Sequence, residues 1–210
     1  MMYKYFKRII DFLLALVLLI LAAIPMLFIA LAIKLEDKGP VIYKSKRMGK
    51  GLKEFNTYKF RSMKTNRKEL SSGLTHEQMV TKVGKFIRKT SLDELPQLFN
   101  ILKGEMSFIG PRPWIPEYYV WFTDEQKRRS DVLPGISGLA QVKGRNGINI
   151  FKKIEYDLYY VDHMSLWLDI KLVFETVVQV FKKTNAEISE QGIIEEIDDL
   201  KKKKQISHVG

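Results

Sequence analysis

The sequence contains no cysteine and only three histidines, which lie far apart as His76, His163 and His208. The absence of cysteine excludes a disulfide framework and any thiolate metal site. Isolated histidines also lack the spacing of a structural zinc site. The sequence shows no internal repeat. Its 210 residues suffice for one compact domain with an anchor but are few for two full domains.

Charge of one sign dominates the chain. Lysine and arginine total 35 against 24 aspartate and glutamate residues, which gives a formal net charge of +11. Such an excess predicts an anionic partner, namely a phospholipid surface, a nucleotide or a nucleic acid. The cations are spread along the chain rather than gathered on one element, so we expect no nucleic-acid partner.

A long uncharged run covers residues 12–33 near the N-terminus. As a straight helix it would reach roughly 33 Å, enough to cross a hydrocarbon core of about 30 Å. A cleaved signal peptide fits poorly because the run is too long and no small-residue cleavage site follows it. A buried helix of a soluble protein fits poorly because no face of the run is polar.

The orientation of this run is predicted from its flanks. Lys4, Lys7 and Arg8 precede it and seven cations follow, so cytoplasmic retention of positive charge keeps both ends on one side. A break at Ile24 and Pro25 would give two legs too short to cross. We therefore predict a re-entrant hairpin in one leaflet, monotopic on the cytoplasmic face. A single span with a tolerated proline is the alternative.

The remaining pattern predicts an α-rich α+β membrane-associated domain with interfacial amphipathic helices and a small β element. Strands are expected at 41–43 and 54–60, and helices at about 76–89, 94–103, 149–163 and 165–182. The segment 133–147 is glycine-rich and is predicted as loop with one strand. We expect residues 1–35 to form the membrane helix, 36–185 the catalytic domain, and 186–210 a charged, mobile tail.

Aromatic residues are concentrated between positions 114 and 122, with Trp167 further along the chain. Tryptophan and tyrosine favour the headgroup level of a bilayer, so this cluster could seat the domain on the membrane. The same residues could equally fill the core. The sequence leaves both interpretations open.

Two adjacent carboxylates, Asp93 and Glu94, stand at the start of a predicted helix. One interpretation is structural: Asp93 is the N-cap, or Ser91 and Glu94 form a capping box. The other is catalytic, since carboxylates beside several guanidinium groups suit Mg²⁺-assisted phosphoryl chemistry. Arg112 favours the catalytic interpretation because the prolines on both sides of it restrict its backbone.

Several motifs occur in register along the chain. They are 57–63 (TYKFRSM), 91–98 (SLDELPQL), 99–107 (FNILKGEMS), 110–113 (GPRP), 134–142 (PGISGLAQV) and 144–146 (GRN). Together they resemble the bacterial sugar transferase family, the small monotopic polyprenyl-phosphate phosphoglycosyl transferases. The resemblance covers about residues 3–185.

The resemblance implies transfer of a phosphosugar from a UDP-sugar to an undecaprenyl-type polyprenyl phosphate, with release of UMP. This is the first membrane step of bacterial glycoconjugate synthesis, as in exopolysaccharide, lipopolysaccharide or capsule. It implies Asp93 as a nucleophile that becomes covalently linked to the phosphosugar, Mg²⁺ as cofactor held by Asp93 and Glu94, and a location at the bacterial inner (plasma) membrane. The expected phosphate or nucleotide contacts are Lys59, Arg88, Arg112, Gln141 and Arg145.

Two positions depart from the family pattern. Ile24 precedes Pro25 where the family has serine, and Leu133 precedes Pro134 where arginine is expected. The first departure removes a hydroxyl that could satisfy backbone groups at a helix break. The second removes one expected phosphate or headgroup contact.

Two other functions compete with the transferase. A membrane-tethered adaptor that binds anionic lipid explains the charge, the anchor and the aromatic residues, but leaves Asp93, Glu94 and Arg112 without a role. An ordinary metal-dependent glycosyltransferase would carry an Asp-x-Asp motif, which is absent. The sugar, the pathway and homo-oligomerisation stay open.

Overall fold

The computed structural model describes residues 2–65, 78–144, 147–181 and 196–201. Its helices are α1 (Met2–Glu36), α2 (Lys82–Lys89), α3 (Gln97–Lys103), α4 (Asp124–Lys127), α5 (Leu139–Lys143), α6 (Ile150–His163) and α7 (Leu166–Phe181). Its strands are β1 (Ile42–Met48), β2 (Glu54–Phe60), β3 (Ser107–Ile109) and β4 (Gly135–Ser137). The predicted α-rich architecture with a small β element is confirmed.

Helix α1 is continuous, with Pro25 inside it. The predicted hairpin break at Ile24 and Pro25 is not confirmed. Both residues lie on the exposed side of the helix, where the proline ring costs one backbone hydrogen bond and displaces no packed side chain. By length and composition the helix could cross a bilayer.

One stripe of α1 packs against the rest of the protein in both halves of the helix. Asp11, Ala15, Ile29 and Ile33 are buried on this stripe, at spacings that are close to whole numbers of helical turns. The opposite face is apolar and exposed from Tyr5 to Leu35. This arrangement explains why no face of the run is polar: one side of the helix packs on the protein, and the exposed side carries apolar side chains.

Both ends of α1 are also fixed by polar contacts. Near its start, Arg8 donates to the carbonyl oxygens of Ile101 (2.6 Å) and Leu102 (3.1 Å), in the last turn of α3. At its end, the Glu36 carboxylate accepts from backbone N–H groups of the first turn of α2. These bonds satisfy helix-terminal groups that would otherwise lack partners.

Strands β1 and β2 form an antiparallel hairpin. The register pairs Tyr43 with Lys59 and Arg47 with Phe55, so these four side chains share one face. Buried Asn100 of α3 binds the edge of β2, accepting from Tyr58 N–H (3.0 Å) and donating to the carbonyl of residue 56 (2.7 Å). The hairpin is thereby fixed beside α3.

Strands β3 and β4 pair in parallel, and their carboxyl ends lie at one edge. A Cβ on Gly138 would lie 2.1 Å from the carbonyl oxygen of Gly110, so the two chains meet at backbone distance. Beyond this edge lie the Pro111–Pro113 segment and α5. The glycine-rich segment was predicted as loop with one strand, and α5 corrects that prediction. Packing of Leu139, Ala140 and Val142 in the interior stabilises this short helix.

The aromatic cluster at 114–122 belongs mainly to the core. Tyr118, Tyr119 and Phe122 are buried and pack with α6, whereas Trp167 of α7 is 77% exposed. Residues 196–201, within the predicted tail, are helical and cover this cluster with Leu200, which is 2% exposed.

Candidate active site

Asp93 and Glu94 lie in a 3₁₀ turn, Leu92–Glu94, between α2 and α3. Ser91 before it adopts a left-handed conformation with φ of 58° and makes no side-chain cap. Helix α3 begins only at Gln97. Both structural interpretations of the pair, an Asp93 N-cap and a Ser91–Glu94 capping box, are therefore wrong.

Lys59 approaches both carboxylates from β2. Its Nζ lies 2.7 Å from Glu94 Oε1 and 3.8 Å from Asp93 Oδ2. The side chains of Asp93 and Glu94 are 13% and 19% exposed, so the contact is shielded from bulk water. The positive charge of Lys59 reduces the electrostatic repulsion between these two neighbouring carboxylates.

Arg112 approaches Glu94 from the edge of the β3–β4 pair. Its NH2 group lies 3.3 Å from Glu94 Oε1, the oxygen that Lys59 also contacts. Nearly half of the Arg112 side chain is exposed, so part of the guanidinium can meet a ligand. The structure thus brings together Lys59, Arg112 and the carboxylate pair, which the sequence analysis named as site residues.

The electrostatics of Glu94 follow from these neighbours. Burial by itself would raise its pKa, but the charges and hydrogen bonds of Lys59 and Arg112 outweigh burial and lower the pKa to about 2. Glu94 is therefore ionised at every physiological pH.

A buried arginine, Arg129, supports the backbone of Arg112. Arg129 NH2 donates to the Arg112 carbonyl oxygen (2.6 Å) and to Asp157 Oδ2 (2.6 Å), and NH1 donates to Tyr119 (2.6 Å). The guanidinium also lies 4.1 Å from the ring centroid of Trp114. Burial would lower the pKa of Arg129, but the charges of Tyr119 and Asp157 outweigh it and raise the pKa.

Sequence reasoning missed Arg129 and Asp157. Arg129 follows another arginine in a charged segment and looks like a solvated cation. Asp157 did carry a signal, because it lies three and seven residues after Ile154 and Ile150 and so falls on the apolar face of α6. A carboxylate on such a face requires a buried partner.

Three further residues were predicted as phosphate or nucleotide contacts. Arg88 lies in the last turn of α2, five residues before Asp93, and its Nε donates to Ser62 Oγ (2.8 Å). Gln141 lies on α5, and both polar atoms of its side chain are buried without a hydrogen-bond partner in the described chain. Such orphaned atoms call for a ligand or water. Arg145 lies outside the described residues.

The carboxylate pair is also the candidate Mg²⁺ site. Among the described residues, no group of three or more histidine, aspartate or glutamate side chains could hold a metal. Mg²⁺ commonly binds proteins through one or two carboxylates together with substrate phosphates and water. Lys59 and Arg112 both contact Glu94 through Oε1. The donor set of Asp93 and Glu94 therefore fits Mg²⁺ in the presence of a phosphate substrate.

Comparison with known proteins gives consistent matches. The model of the family described as bacterial sugar transferase matches residues 2–183. The chain is 44% identical over 174 residues to the uncharacterized sugar transferase EpsL of Bacillus subtilis (83% of this chain, 86% of that protein). It is 43% identical over 191 residues to the UDP-glucose:undecaprenyl-phosphate glucose-1-phosphate transferase of Klebsiella pneumoniae (86% of this chain, 41% of that protein).

A third relative has a different sugar in its name. The UDP-N-acetylgalactosamine-undecaprenyl-phosphate N-acetylgalactosaminephosphotransferase of Aeromonas hydrophila is 44% identical over 183 residues (83% of this chain, 43% of that protein). The chain thus spans most of EpsL and less than half of the two relatives whose names state a reaction.

Proposed function

Because the chain belongs to the bacterial sugar transferase family, we propose that it transfers a phosphosugar from a UDP-sugar to a polyprenyl phosphate, with release of UMP. The observation that carries this proposal is the meeting of Lys59 and Arg112 on the Asp93–Glu94 turn. Relatives named as undecaprenyl-phosphate sugar phosphotransferases support the reaction class.

Asp93 is the nucleophile in this proposal. One carboxylate oxygen attacks the β-phosphorus of the UDP-sugar, and the bond from that phosphorus to the bridging oxygen breaks, so UMP leaves. The polyprenyl phosphate then attacks the phosphorus of the aspartyl intermediate, which frees Asp93 and gives a polyprenyl-diphosphate-sugar. The cation of Lys59, 3.8 Å away, favours the ionised Asp93 that attack requires.

The cations bind and orient the phosphate groups. Arg112 has exposed N–H groups and a backbone fixed by Arg129, so it can present two parallel donors to a phosphate. Lys59 neutralises charge at the attacked phosphorus. Gln141, with its unpaired buried amide, contacts the nucleotide or sugar, and Arg88 and Arg145 are further phosphate contacts.

Asp93 and Glu94 would also hold the proposed Mg²⁺. When bound, the ion would supply charge neutralisation of the diphosphate and of the departing UMP. Ionisation of Glu94, with its pKa near 2, keeps one ligand permanently charged. Its contact with Lys59 also orients it toward Asp93.

The protein inserts into one leaflet at the cytoplasmic face. The domain contacts α1 at Leu19 and before it, and again at Met26 and beyond, which leaves six residues between. Six helical residues rise about 9 Å, far less than a bilayer core. The exposed apolar side chains of α1 and of α7, including Trp167 and Phe174, face lipid.

The decisive experiment measures UMP release from single UDP-sugars with undecaprenyl phosphate and Mg²⁺ in nanodiscs. We expect release with at least one sugar, a covalent phosphosugar adduct on the wild type, and neither with Asp93→Asn. Full activity of Asp93→Asn would disprove the nucleophile. Absence of release across a broad sugar panel would favour the lipid-binding adaptor instead.

A further inference from the structure

Arg47 of β1 is partly buried, and among the described residues its guanidinium group has no partner. The side chain makes no hydrogen bond and no ion pair there, although other long cations near the site, such as Lys59, Arg61 and Arg129, are all paired. A half-buried guanidinium loses hydration and has five donors to satisfy. An arginine in this state is costly unless a ligand or another group beyond the described residues binds it.

The fold places Arg47 on the face that carries the active site. In the hairpin register Arg47 and Lys59 project from the same face, and Arg47 is four residues beyond the partner of Lys59. That separation corresponds to about 13 Å along the strand. Lys44 and Lys46, which project from the opposite face, are exposed.

The end of β1 is tied to the Arg112 segment. The N–H of Met48, next to Arg47, donates to the Trp114 carbonyl oxygen at 2.8 Å. Trp114 is two residues after Arg112, and Arg129 holds the Arg112 carbonyl and stacks on Trp114. Arg47 and Arg112 therefore extend from backbones that are fixed to one another.

The two guanidinium groups act on each other. Burial lowers the pKa of Arg47, and the like charge of Arg112 lowers it further, whereas Glu117 opposes the shift without coming within ion-pair distance. Arg112 also contacts Glu94, so it lies between the carboxylate pair and Arg47. Two close cations with a distant carboxylate produce a positive field that favours a doubly charged anion.

We propose that Arg47 is a second phosphate-binding residue of the active site and binds the phosphate group that Asp93 does not attack. The proposal rests on the proposed transferase function and adds a residue to that site. Lys59 and Arg112 serve the attacked phosphorus beside Asp93, and Arg47 serves a neighbouring phosphate on the far side of Arg112. Its planar fork suits two parallel bonds to phosphate oxygens.

Two phosphates in the reaction have this chemistry: the nucleotide phosphate that leaves as UMP, and the phosphate of the polyprenyl acceptor. Separate measurements distinguish them. Binding of UMP and of uridine to the detergent-solubilised full chain needs no turnover and tests the nucleotide phosphate. The KM for undecaprenyl phosphate, measured at saturating UDP-sugar, tests the acceptor.

The variants are Arg47→Ala and Arg47→Met, with Lys46→Ala as the matched control on the opposite face of the same strand. We expect both Arg47 variants to weaken UMP binding, or raise the KM for undecaprenyl phosphate, at least about tenfold, as loss of a charged hydrogen bond predicts. Uridine binding should be unchanged, and Lys46→Ala should stay within about twofold. Both Arg47 variants should keep the Tm of the wild type, because an unpaired cation beside Arg112 stabilises nothing.

Three results would overturn the proposal. Arg47 variants that match Lys46→Ala in both measurements would remove Arg47 from the site. A large fall in Tm for Ala and Met variants alike would make the residue structural. Equal weakening of UMP and uridine would exclude a phosphate contact. If the wild type neither binds UMP nor turns over, the proposed transferase function itself fails, which is a distinct outcome.

Discussion

Arg129, which is 2% exposed, donates a hydrogen bond of 2.6 Å to the backbone carbonyl oxygen of Arg112. The same guanidinium binds Asp157 through two nitrogens. The buried ion pair between Arg129 and Asp157 of α6 thus fixes the backbone of an arginine at the active site. Prolines 111 and 113 restrict the dihedral angles of this segment, and Arg129 determines where the segment lies.

The adjacent arginines 128 and 129 provide a matched test of this pair. Arg129→Met would leave the Asp157 carboxylate buried without its partner, at a cost of about 3–5 kcal/mol in unfolding free energy. Arg128→Met removes an exposed cation that pairs with Glu125 and Asp162, and should cost far less, because exposed ion pairs contribute little to stability. Thermal unfolding in one detergent compares them. Equal losses would contradict a special role for Arg129.

Coupling between Arg129 and Arg112 is a separate prediction. Arg129→Lys keeps the charge but loses the fork that reaches Asp157 and the Arg112 carbonyl together, so kcat/KM should fall about tenfold or more. In an Arg112→Ala background the same change should have little further effect, because Arg112 no longer has a side chain to position. Steady-state rates of UMP release in the double-mutant cycle give the coupling. Fully additive losses would show that Arg129 acts elsewhere.

The low pKa of Glu94 predicts how the first half-reaction depends on pH. Because its pKa is lowered to about 2, the Glu94 carboxylate keeps its ion pairs at every pH above the usual pKa of a carboxyl group. These ion pairs are lost only as the pH falls toward 2. The UMP burst should therefore show no loss attributable to Glu94 between about pH 8 and pH 5. Glu94→Gln imitates the protonated state and should be slow throughout. A wild-type titration in that window that is absent from Glu94→Gln would contradict the assignment.

The backbone of Ser91 makes another prediction. A left-handed conformation costs an ordinary residue about 1–2 kcal/mol and is least tolerated by β-branched residues. Ser91→Gly should therefore keep activity and stability, whereas Ser91→Val should reposition the Asp93 turn and lower kcat at least about tenfold. Leu52 in the β1–β2 turn has the same φ of 58°, so Leu52→Val is a control that should affect stability alone. Equal activity losses for both valine variants would remove the special status of Ser91.

Much of this fold could be predicted from local sequence patterns, because helix periodicity and capping depend on residues that are close together in the chain. The apolar periodicity of α6 and α7 located both helices nearly to the residue, and Thr123 and Gln126 form a capping box with the usual Thr-x-x-Gln spacing. The conformation around Asp93 was harder to predict, because nothing in the residue types nearby indicates that Ser91 adopts a left-handed conformation. Arg129 and Asp157 are 28 residues apart, and such pairing depends on tertiary packing that one sequence does not display.

Residues 196–201 lie beyond the family match, which ends at residue 183, and yet they pack on the core. Glu196 accepts from Tyr118 at 2.7 Å and pairs with Lys153. Leu200→Ala should therefore cost about 2–4 kcal/mol in unfolding free energy. Lys201→Ala, at a partly exposed side chain, should cost much less. Urea denaturation monitored by tryptophan fluorescence tests this, and an unchanged midpoint for Leu200→Ala would contradict docking of the segment.

The absence of cysteine makes the topology of α1 directly measurable, because single cysteines introduced at Lys4 and Lys38 have no background. Both positions are exposed, and they lie on the two sides of the uncharged run 12–33. If both ends pack on one cytoplasmic domain, an impermeant maleimide should label both sites in inverted vesicles and neither in intact spheroplasts. The presence of cations on both flanks, three before the run and seven after it, fits this outcome because positive charge is retained on the cytoplasmic side. Labelling of Lys4→Cys and Lys38→Cys from opposite sides would establish a full span. The Arg8 contacts with α3 could then not coexist with the Glu36 contacts with α2 on one domain.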